Sequence, residues 1–315
     1  MLPFVIVNPK SASGATREKW SATASDLRAH FGPYKVAFTK AAGDGVRLAE
    51  KAADSGHEFI IACGGDGTIN EVANGILRSG LDVELGILPS GTGGDLRRSI
   101  GMPTSARESA MILRTGRTRK IDVGKVTFTG EGSERAERYF LNVSSAGLAA
   151  SIIDRVKQQK ALGWIPPSGV RGRAAFALSA LQEFAALETF RLRVQFDDEE
   201  PTTLTTLNFC IANARYFGGG MKIAPEAKLA DGFFDIVNIG DINTARVLLN
   251  AYTLYSGTHI SLKEVKTRHA KRIRIEPFDD AQTVRIEIDG ELPGRLPAEY
   301  EIIPNALGVR VPDKR

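Results

Sequence analysis

Short apolar runs and amphipathic stretches alternate along the first 120 or so residues. Phe4–Asn8, Lys35–Thr39, Glu58–Cys63 and Val83–Leu88 are apolar runs of strand length. Between them the apolar positions take helical spacing. Trp20, Ala24, Leu27 and Phe31 recur at i, i+4, i+7 and i+11, and Ile69, Val72, Ala73, Ile76 and Leu77 at i, i+3, i+4, i+7 and i+8. This βαβα order predicts an α/β domain, a parallel sheet with helices on both faces. Such sheets bind ligands outside the carboxyl ends of their strands, which singles out the loops after Asn8, Thr39, Cys63 and Pro89.

Beyond about residue 124 strand patterns dominate. Tyr139–Val143, Phe190–Phe196, Leu204–Asn213, Phe233–Ile239, Lys271–Glu276, Thr283–Asp289 and Glu299–Ile303 predict an antiparallel β domain. From Val284 to Asp289 an apolar face alternates with a charged one bearing Arg285, Glu287 and Asp289. Two helices are expected to interrupt the strands, around 172–188 and around 243–256, the second capped by Asn243. Thr129–Arg138 reads as an exposed loop. The predicted division is 1–123 for the α/β domain and 124–303 for the β-rich domain.

Composition narrows the class. With 315 residues, 43% hydrophobic and 25% charged, the chain is neither a disulfide scaffold, nor collagen-like, nor intrinsically disordered. Cys63 and Cys210, its only thiols, have no metal-ligand spacing and read as buried, reduced cysteines. The N-terminus lacks the basic and long apolar regions of a signal peptide, which points to the cytoplasm. The longest apolar stretch, Ala174 to Leu187, is interrupted by Ser179, Gln182 and Glu183, short of the ~20 residues of a membrane span. A net charge of +4 tolerates anionic partners without selecting one, and no nucleic-acid-binding module is present.

The strongest chemical signal is Cys63-Gly64-Gly65-Asp66-Gly67-Thr68, after a strand and before a helix. Glycines there let backbone N–H groups approach a phosphate at a helix N-terminus, where the dipole favours negative charge. A carboxylate in such a cradle suggests a divalent cation between the two; a plain tight turn is the alternative reading. Leu88-Pro89-Ser90-Gly91-Thr92-Gly93-Gly94-Asp95 forms a second glycine-rich loop and Asn8-Pro9-Lys10-Ser11-Ala12-Ser13-Gly14 a third. Neither a Walker A motif nor a G-x-G-x-x-G fingerprint occurs. Asp289-Gly290 is a hairpin signal at the end of an alternating strand.

These loops, with Gly64–Gly75, Ile121-Asp122-Val123-Gly124, Ala224-Pro225, Leu229–Asp235 and Ile288-Asp289-Gly290-Glu291, resemble the diacylglycerol kinase catalytic superfamily, in particular its soluble bacterial lipid kinases. The resemblance runs in order from residue 4 to about 303, and it implies that 1–123, which 304–315 could complete, is the α/β nucleotide-binding catalytic domain and 124–303 a β-sandwich-like lipid or acceptor domain. It implies an ATP- and Mg²⁺-dependent kinase that phosphorylates a lipid hydroxyl, diacylglycerol or a related glycerolipid, peripherally at the inner face of the membrane. ATP would contact Asn8, Pro9, Lys10, Ser11, Thr39, Gly64, Gly65, Asp66, Gly67, Thr68, Ile69, Asn70 and Thr92. Asp66 and Asp95 would join a Mg²⁺ network, and Glu291 would act as general base, with Asp289 as alternative or partner. Lys228, Asp231 and Phe233 would form a separate structural Mg²⁺ site. Related sequences usually carry Asn before the Asp of the second loop, where this chain has Gly94. A soluble acceptor, as in NAD kinases, and a catalytically silent nucleotide-binding regulator are the rival readings, and an oligomer is compatible with the sequence. For membrane contact the candidate is the apolar loop Ala161–Pro167, flanked by Lys157, Lys160, Arg171 and Arg173.

Overall fold

The four apolar runs of the N-terminal part form parallel strands: β1 (Phe4–Val7), β2 (Lys35–Phe38), β3 (Phe59–Gly64) and β4 (Glu84–Pro89). The structure, a computed structural model, describes residues 2–90, 94–161, 189–279 and 281–313. Its residues divide into two units, Met1–Val123 with Leu229–Asp231 and Ile303–Arg315, and Gly124–Lys228 with Gly232–Ile302. Thr92, the segment 162–188 and the side chains of Lys157 and Lys160 lie outside the described residues. The predicted helix around 172–188 and most of the apolar loop therefore lie outside them too.

In the first unit β1 pairs with β2 and β3, β3 with β4, and β4 with Gly308 and Val309 near the C-terminus, all parallel. β3 is buried along its whole length, which is why its sequence is a continuous apolar run rather than an alternating one. Its Ile60 and Ile61, with Ile6 and Leu85 of the neighbouring strands, are fully buried, each side chain worth roughly 1.5–3 kcal/mol relative to exposure. Five helices accompany these strands: α1 (Ala15–Phe31), α2 (Asp44–Asp54), α3 (Asp66–Ser79), α4 (Asp95–Ile100) and α5 (Ala106–Thr115). The apolar stripe read from Ile69 to Ile76 is the buried face of α3, and Gly80, in the left-handed conformation, ends that helix.

The second unit is antiparallel. Its strands are the later part of β5 (Arg117–Gly130), then β6 (Arg135–Phe140), β7 (Val143–Gly147), β8 (Phe190–Phe196), β9 (Thr202–Thr206), β10 (Asn208–Ala212), β11 (Phe234–Ile239), β12 (Val265–Ala270), β13 (Arg272–Pro277), β14 (Arg285–Ile288) and the start of β15 (Glu291–Val311). One layer runs β12-β11-β10-β7-β14; β8 and β13, with β15, lie across the main core from it. Period-two alternation sorts the strands between two clusters. Phe209 and Ile211 of β10 enter the main core with Phe140, Phe234 and Tyr300, while Cys210 and Ala212 enter a smaller cluster on the opposite face with Ile223 and Val237. The α/β domain followed by an antiparallel β domain is the order the periodicity predicts, and its β-sandwich-like form is the one the resemblance implies.

Local readings needed correction in three places. Tyr139–Val143 is not one strand: β6 ends at Phe140, the chain turns at Leu141 and Asn142, and β7 begins at Val143. Thr129–Arg138 is largely hairpin, its charged residues on an outer strand face where Lys125 pairs with Glu137 at 2.7 Å. Leu204–Asn213 is split at Leu207 into β9 and β10. The expected helix near 243–256 is present as Thr244–Asn250 and Thr253–Ser256, with Asn243 Oδ1 accepting the Arg246 N–H at 2.9 Å.

Phe140 stacks on Phe234 with ring centroids 5.6 Å apart and meets Tyr300 edge-on at 6.2 Å. Truncating it leaves a cavity beneath the Leu141–Val143 turn. Phe140→Ala is expected to cost about 3–5 kcal/mol, read as a lowered urea midpoint for the β-rich unit; a loss under about 1 kcal/mol would contradict this packing.

Candidate active site

Three loops converge at the carboxyl ends of β1, β3 and β4, held by hydrogen bonds between residues far apart in sequence. Asn8 Nδ2 donates to Thr68 Oγ1 at 3.0 Å, and Asn8 Oδ1 accepts the Lys10 N–H at 3.0 Å. Ser11 Oγ lies 3.5 Å from Thr68 Oγ1, and Thr16 bonds Ser90 hydroxyl to hydroxyl. A Cβ at Gly64 would fall 2.5 Å from Thr68 Oγ1, so glycine is what lets Thr68 sit against this strand end. Pro9 follows in the turn before the 3-10 helix Ser11–Gly14, and Lys10 Nζ reaches the Lys40 carbonyl at 3.2 Å.

Asp66 opens α3, yet its carboxylate leaves its own helix. Its two oxygens accept the backbone N–H groups of Gly94 at 2.6 Å and Asp95 at 2.9 Å, joining the loop after β3 to the loop after β4. Gly65, the N-cap, supplies no side-chain hydrogen bond, so the first-turn N–H groups of a 14-residue helix are left to other partners. Gly67 stands in that first turn, whereas Ile69 and Asn70 point inward: Ile69 is core, and Asn70 Oδ1 accepts from Asn74 at 3.2 Å. Asp95 is buried and pairs with Arg98 at 2.9 Å, and Arg97 donates to the Met102 carbonyl at 2.8 Å.

The loop after β2 is built by two carboxylates that the sequence reading passed over. Asp44 Oδ2 accepts the Lys40 N–H at 2.7 Å and the Ala41 N–H at 3.1 Å, beside buried Thr39. The Lys40 N–H, then the Arg47 guanidinium and the Ala41 N–H, hold the Asp44 carboxyl down at about 2. Glu71 of α3 accepts the N–H groups of Gly43 at 2.9 Å and Gly45 at 2.8 Å, which ties the phosphate-type helix to the start of α2. Glutamate three positions after Thr68 is the signal that could have flagged it.

In the second unit Asp289 and Gly290 form the two-residue loop joining β14 to β15, with φ of 45° and 87°. Positive φ at both positions is the geometry an Asp-Gly hairpin turn requires. Asp289 works as an anchor there: its carboxylate accepts the N–H groups of Leu141 at 2.8 Å, Asn142 at 3.0 Å and Val143 at 3.1 Å. Glu291 is 42% exposed and pairs with Arg138 at 2.7 Å. Glu287, on the charged face of β14, is buried, one oxygen accepting from Ser145 Oγ at 2.8 Å and the other from the Gly290 N–H. Adjacent serines at 144 and 145, inside a strand, were the readable hint of a polar partner.

Lys228, Asp231 and Phe233 lie on the turn leading into β11, all three exposed, with Lys271 Nζ 4.9 Å from the Phe233 ring centroid. No cluster of three or more His, Cys, Asp or Glu suited to a metal occurs among the described residues. Cys63 and Cys210 are buried and form no disulfide; burial pushes the Cys63 thiol up to about 12. Among the described residues no helix is long and apolar enough to cross a membrane.

Residues 3–126 match the diacylglycerol kinase catalytic domain, and residues 142–311 match the YegS C-terminal NAD kinase beta sandwich-like domain. The diacylglycerol kinase of Mycobacterium tuberculosis (strain CDC 1551 / Oshkosh) is 30% identical over 311 residues, covering 98% of this chain and 94% of that protein. A diacylglycerol kinase of Staphylococcus epidermidis (strain ATCC 35984) is 30% identical over 266 residues, 83% of this chain and 77% of that one. In fold, the chain superposes on a crystal structure of a candidate diacylglycerol kinase from Bacillus anthracis str. Sterne with a TM-score of 0.75 at 24% identity, covering 98% of this chain and 96% of that chain.

Burial raises the Glu287 carboxyl from its ordinary 4.5 to about 7, against the lowering effect of its bonds from Gly290 and Ser145. A carboxyl raised in the folded state stabilises the fold fully below its unfolded pKa, and that contribution is lost as pH rises through the folded pKa. The gap from 4.5 to about 7 corresponds to about 3 kcal/mol. Wild-type stability is expected to decline between pH 4.5 and 7 relative to Glu287→Gln. Parallel curves for the two proteins in urea unfolding across that range would refute the assignment.

Proposed function

This chain belongs to the diacylglycerol kinase family and is a kinase, and on that premise we propose that it transfers the γ-phosphate of Mg-ATP to the hydroxyl of a membrane glycerolipid, diacylglycerol or a close relative. The observation that carries the nucleotide half of this reading is the cross-bracing of three loops at the strand ends, with Asp66 gripping Gly94 and Asp95 beside the uncapped start of α3. The lipid half rests on relatives that carry the name diacylglycerol kinase.

The donor chemistry suits a hard cation, since Asp66 and Asp95 stand on adjacent loops and carboxylate oxygens are what Mg²⁺ prefers. When bound there, Mg²⁺ would neutralise charge on the transferring phosphoryl group. Within the chain, Asn8 and Thr68 hold each other where the phosphates would lie, and Lys10, Ser11 and Thr39 edge the same loops. The first-turn N–H groups at Gly67 and Thr68 offer the helix-terminal donors that phosphates favour. Thr92 is proposed as a further contact on family resemblance alone. Glu291 is proposed as the base: it is part-exposed and held by one guanidinium, whereas three N–H groups already engage Asp289. A base must reach the acceptor hydroxyl, and a part-exposed carboxylate with one ion-pair partner is better placed to do so than one engaged by three N–H groups. Lys228, Asp231 and Phe233 are proposed as a separate structural cation site, with the Asp231 carboxylate as its hard donor. Peripheral contact with the bilayer follows from the proposed acceptor, which lives there.

Labelled γ-phosphate transfer into a lipid panel in mixed micelles tests the reading. Wild type should label a glycerolipid, Glu291→Ala should lower kcat by ~10²–10⁴-fold with ATP binding kept, and Asp66→Ala should lose both transfer and tight nucleotide binding. Label in NAD without any lipid would favour the soluble-acceptor reading that the match at residues 142–311 raises. Nucleotide binding with no transfer to any acceptor would favour a silent regulator.

A further inference from the structure

The hairpin proposed to carry the base is rooted on a group the family reading does not use. We propose that Glu287 is a positioning residue for the Asp289-Gly290-Glu291 turn: its carboxylate, by accepting the Gly290 N–H, sets the turn from which Glu291 projects, and the turn loosens when that carboxylate is protonated. The inference rests on the reading of Glu291 as base, but its structural half stands apart from it.

Three observations carry it. Glu287 faces Ser145 across the β14–β7 pair, and Ser145 Oγ donates to one carboxylate oxygen at 2.8 Å, which fixes the side chain. The other oxygen accepts the N–H of Gly290, three residues on, in the turn that leaves the strand. Gly290 directly precedes Glu291, so the N–H held by the Glu287 carboxylate lies one residue before the Cα that carries the Glu291 side chain. Asp289 fixes the other end of the turn through its three N–H bonds, leaving the Gly290 peptide as the part that Glu287 controls.

The groups around Glu287 leave it as the one that titrates near neutrality. The Cys210 thiol on β10 and the Tyr300 hydroxyl on β15, the latter 3.1 Å from Ser144 Oγ, are both fully buried and both raised by that burial, so they stay neutral. The Asp289 carboxylate, across the turn, adds to the upward push on Glu287. A protonated carboxyl is a weaker acceptor and must place its own proton, so the hold on Gly290 weakens as pH falls through about 7.

Selective labelling reads this directly. The chain has four Asp-Gly pairs, so pairing ¹³C′-Asp with ¹⁵N-Gly reduces the spectrum to four amide signals, one of them Gly290. The Gly290 amide should titrate with a midpoint near 7 in wild type and stay flat in Glu287→Gln. Ser145→Ala removes the donor that favours the ionised form and should move the midpoint upward, which keeps the test alive if Glu287→Gln folds poorly. In transfer assays Glu287→Gln should lose the near-neutral acid limb of kcat and fall about 10-fold in kcat, with KM for ATP unchanged. A Gly290 amide independent of pH in wild type, or one that titrates identically in Glu287→Gln, overturns the proposal, as does an unchanged kcat profile in that variant. If wild type phosphorylates no lipid, the kinase reading fails while the amide titration still decides the anchoring of the turn.

Discussion

Backbone N–H groups in glycine-rich turns must find acceptors, and in this protein carboxylates supply them. Asp66 takes the N–H groups of Gly94 and Asp95, Glu71 those of Gly43 and Gly45, and Asp44 those of Lys40 and Ala41. Each turn stands at the carboxyl end of a parallel strand, where helices begin and donors are in surplus. A carboxylate bonded to two N–H groups is a strong, directional brace. The same feature resolves the electrostatic oddity of an acidic residue in a phosphate cradle: the negative charge of Asp66 is already partly answered by the dipoles of the neighbouring loop.

The β-rich unit repeats the device with a different outcome. Asp289 reaches back about 150 residues to cap the Leu141–Val143 turn, and Glu287 caps the Asp289-Gly290 turn from beneath. One hairpin is thereby locked at two points by two acidic side chains of its own. What remains outward is Glu291 with its Arg138 partner, a part-exposed pair that contributes little to stability. Residues two positions apart on one strand-turn segment therefore divide the labour: two build the turn and one is left available to react.

Sequence reading succeeded where the determining interaction is local. Period-two and helical spacing located β1 to β4 and the helices after them, the Asp289-Gly290 dipeptide announced its hairpin, and the glycine loops announced the strand ends where chemistry should sit. It failed where the determinant is distant. Nothing between Tyr139 and Val143 signals a break in the strand; the break exists because a carboxylate at position 289 consumes three consecutive N–H groups there. Alternation assigns Glu287 to a face without saying whether that face is wet, and here both faces of β14 are covered, with Ile286 and Ile288 in the main core and Glu287 bonded to buried Ser145 on the other side. The brace of Glu71 has its partners on another loop, whereas Asp44 braces its own turn three and four residues back.

Burying Glu287 is costly at neutral pH, where a glutamine or an apolar residue would leave the fold more stable. Retaining an ionisable group in such a place makes physical sense if its charge performs a task that a neutral isostere cannot. A neutral amide could accept the Gly290 N–H, though less strongly, and it would not change with pH. The carboxylate alone couples the hold on the Gly290 N–H, one residue before Glu291, to protonation in the range where cells operate. Ser145 is part of that arrangement: its hydroxyl can donate to the ionised form or accept from the protonated one, so both states are satisfied in the interior. The strand face that appeared merely charged is thus a two-state support for the turn above it, and the stability given up there is concentrated at the one hairpin proposed to meet the acceptor.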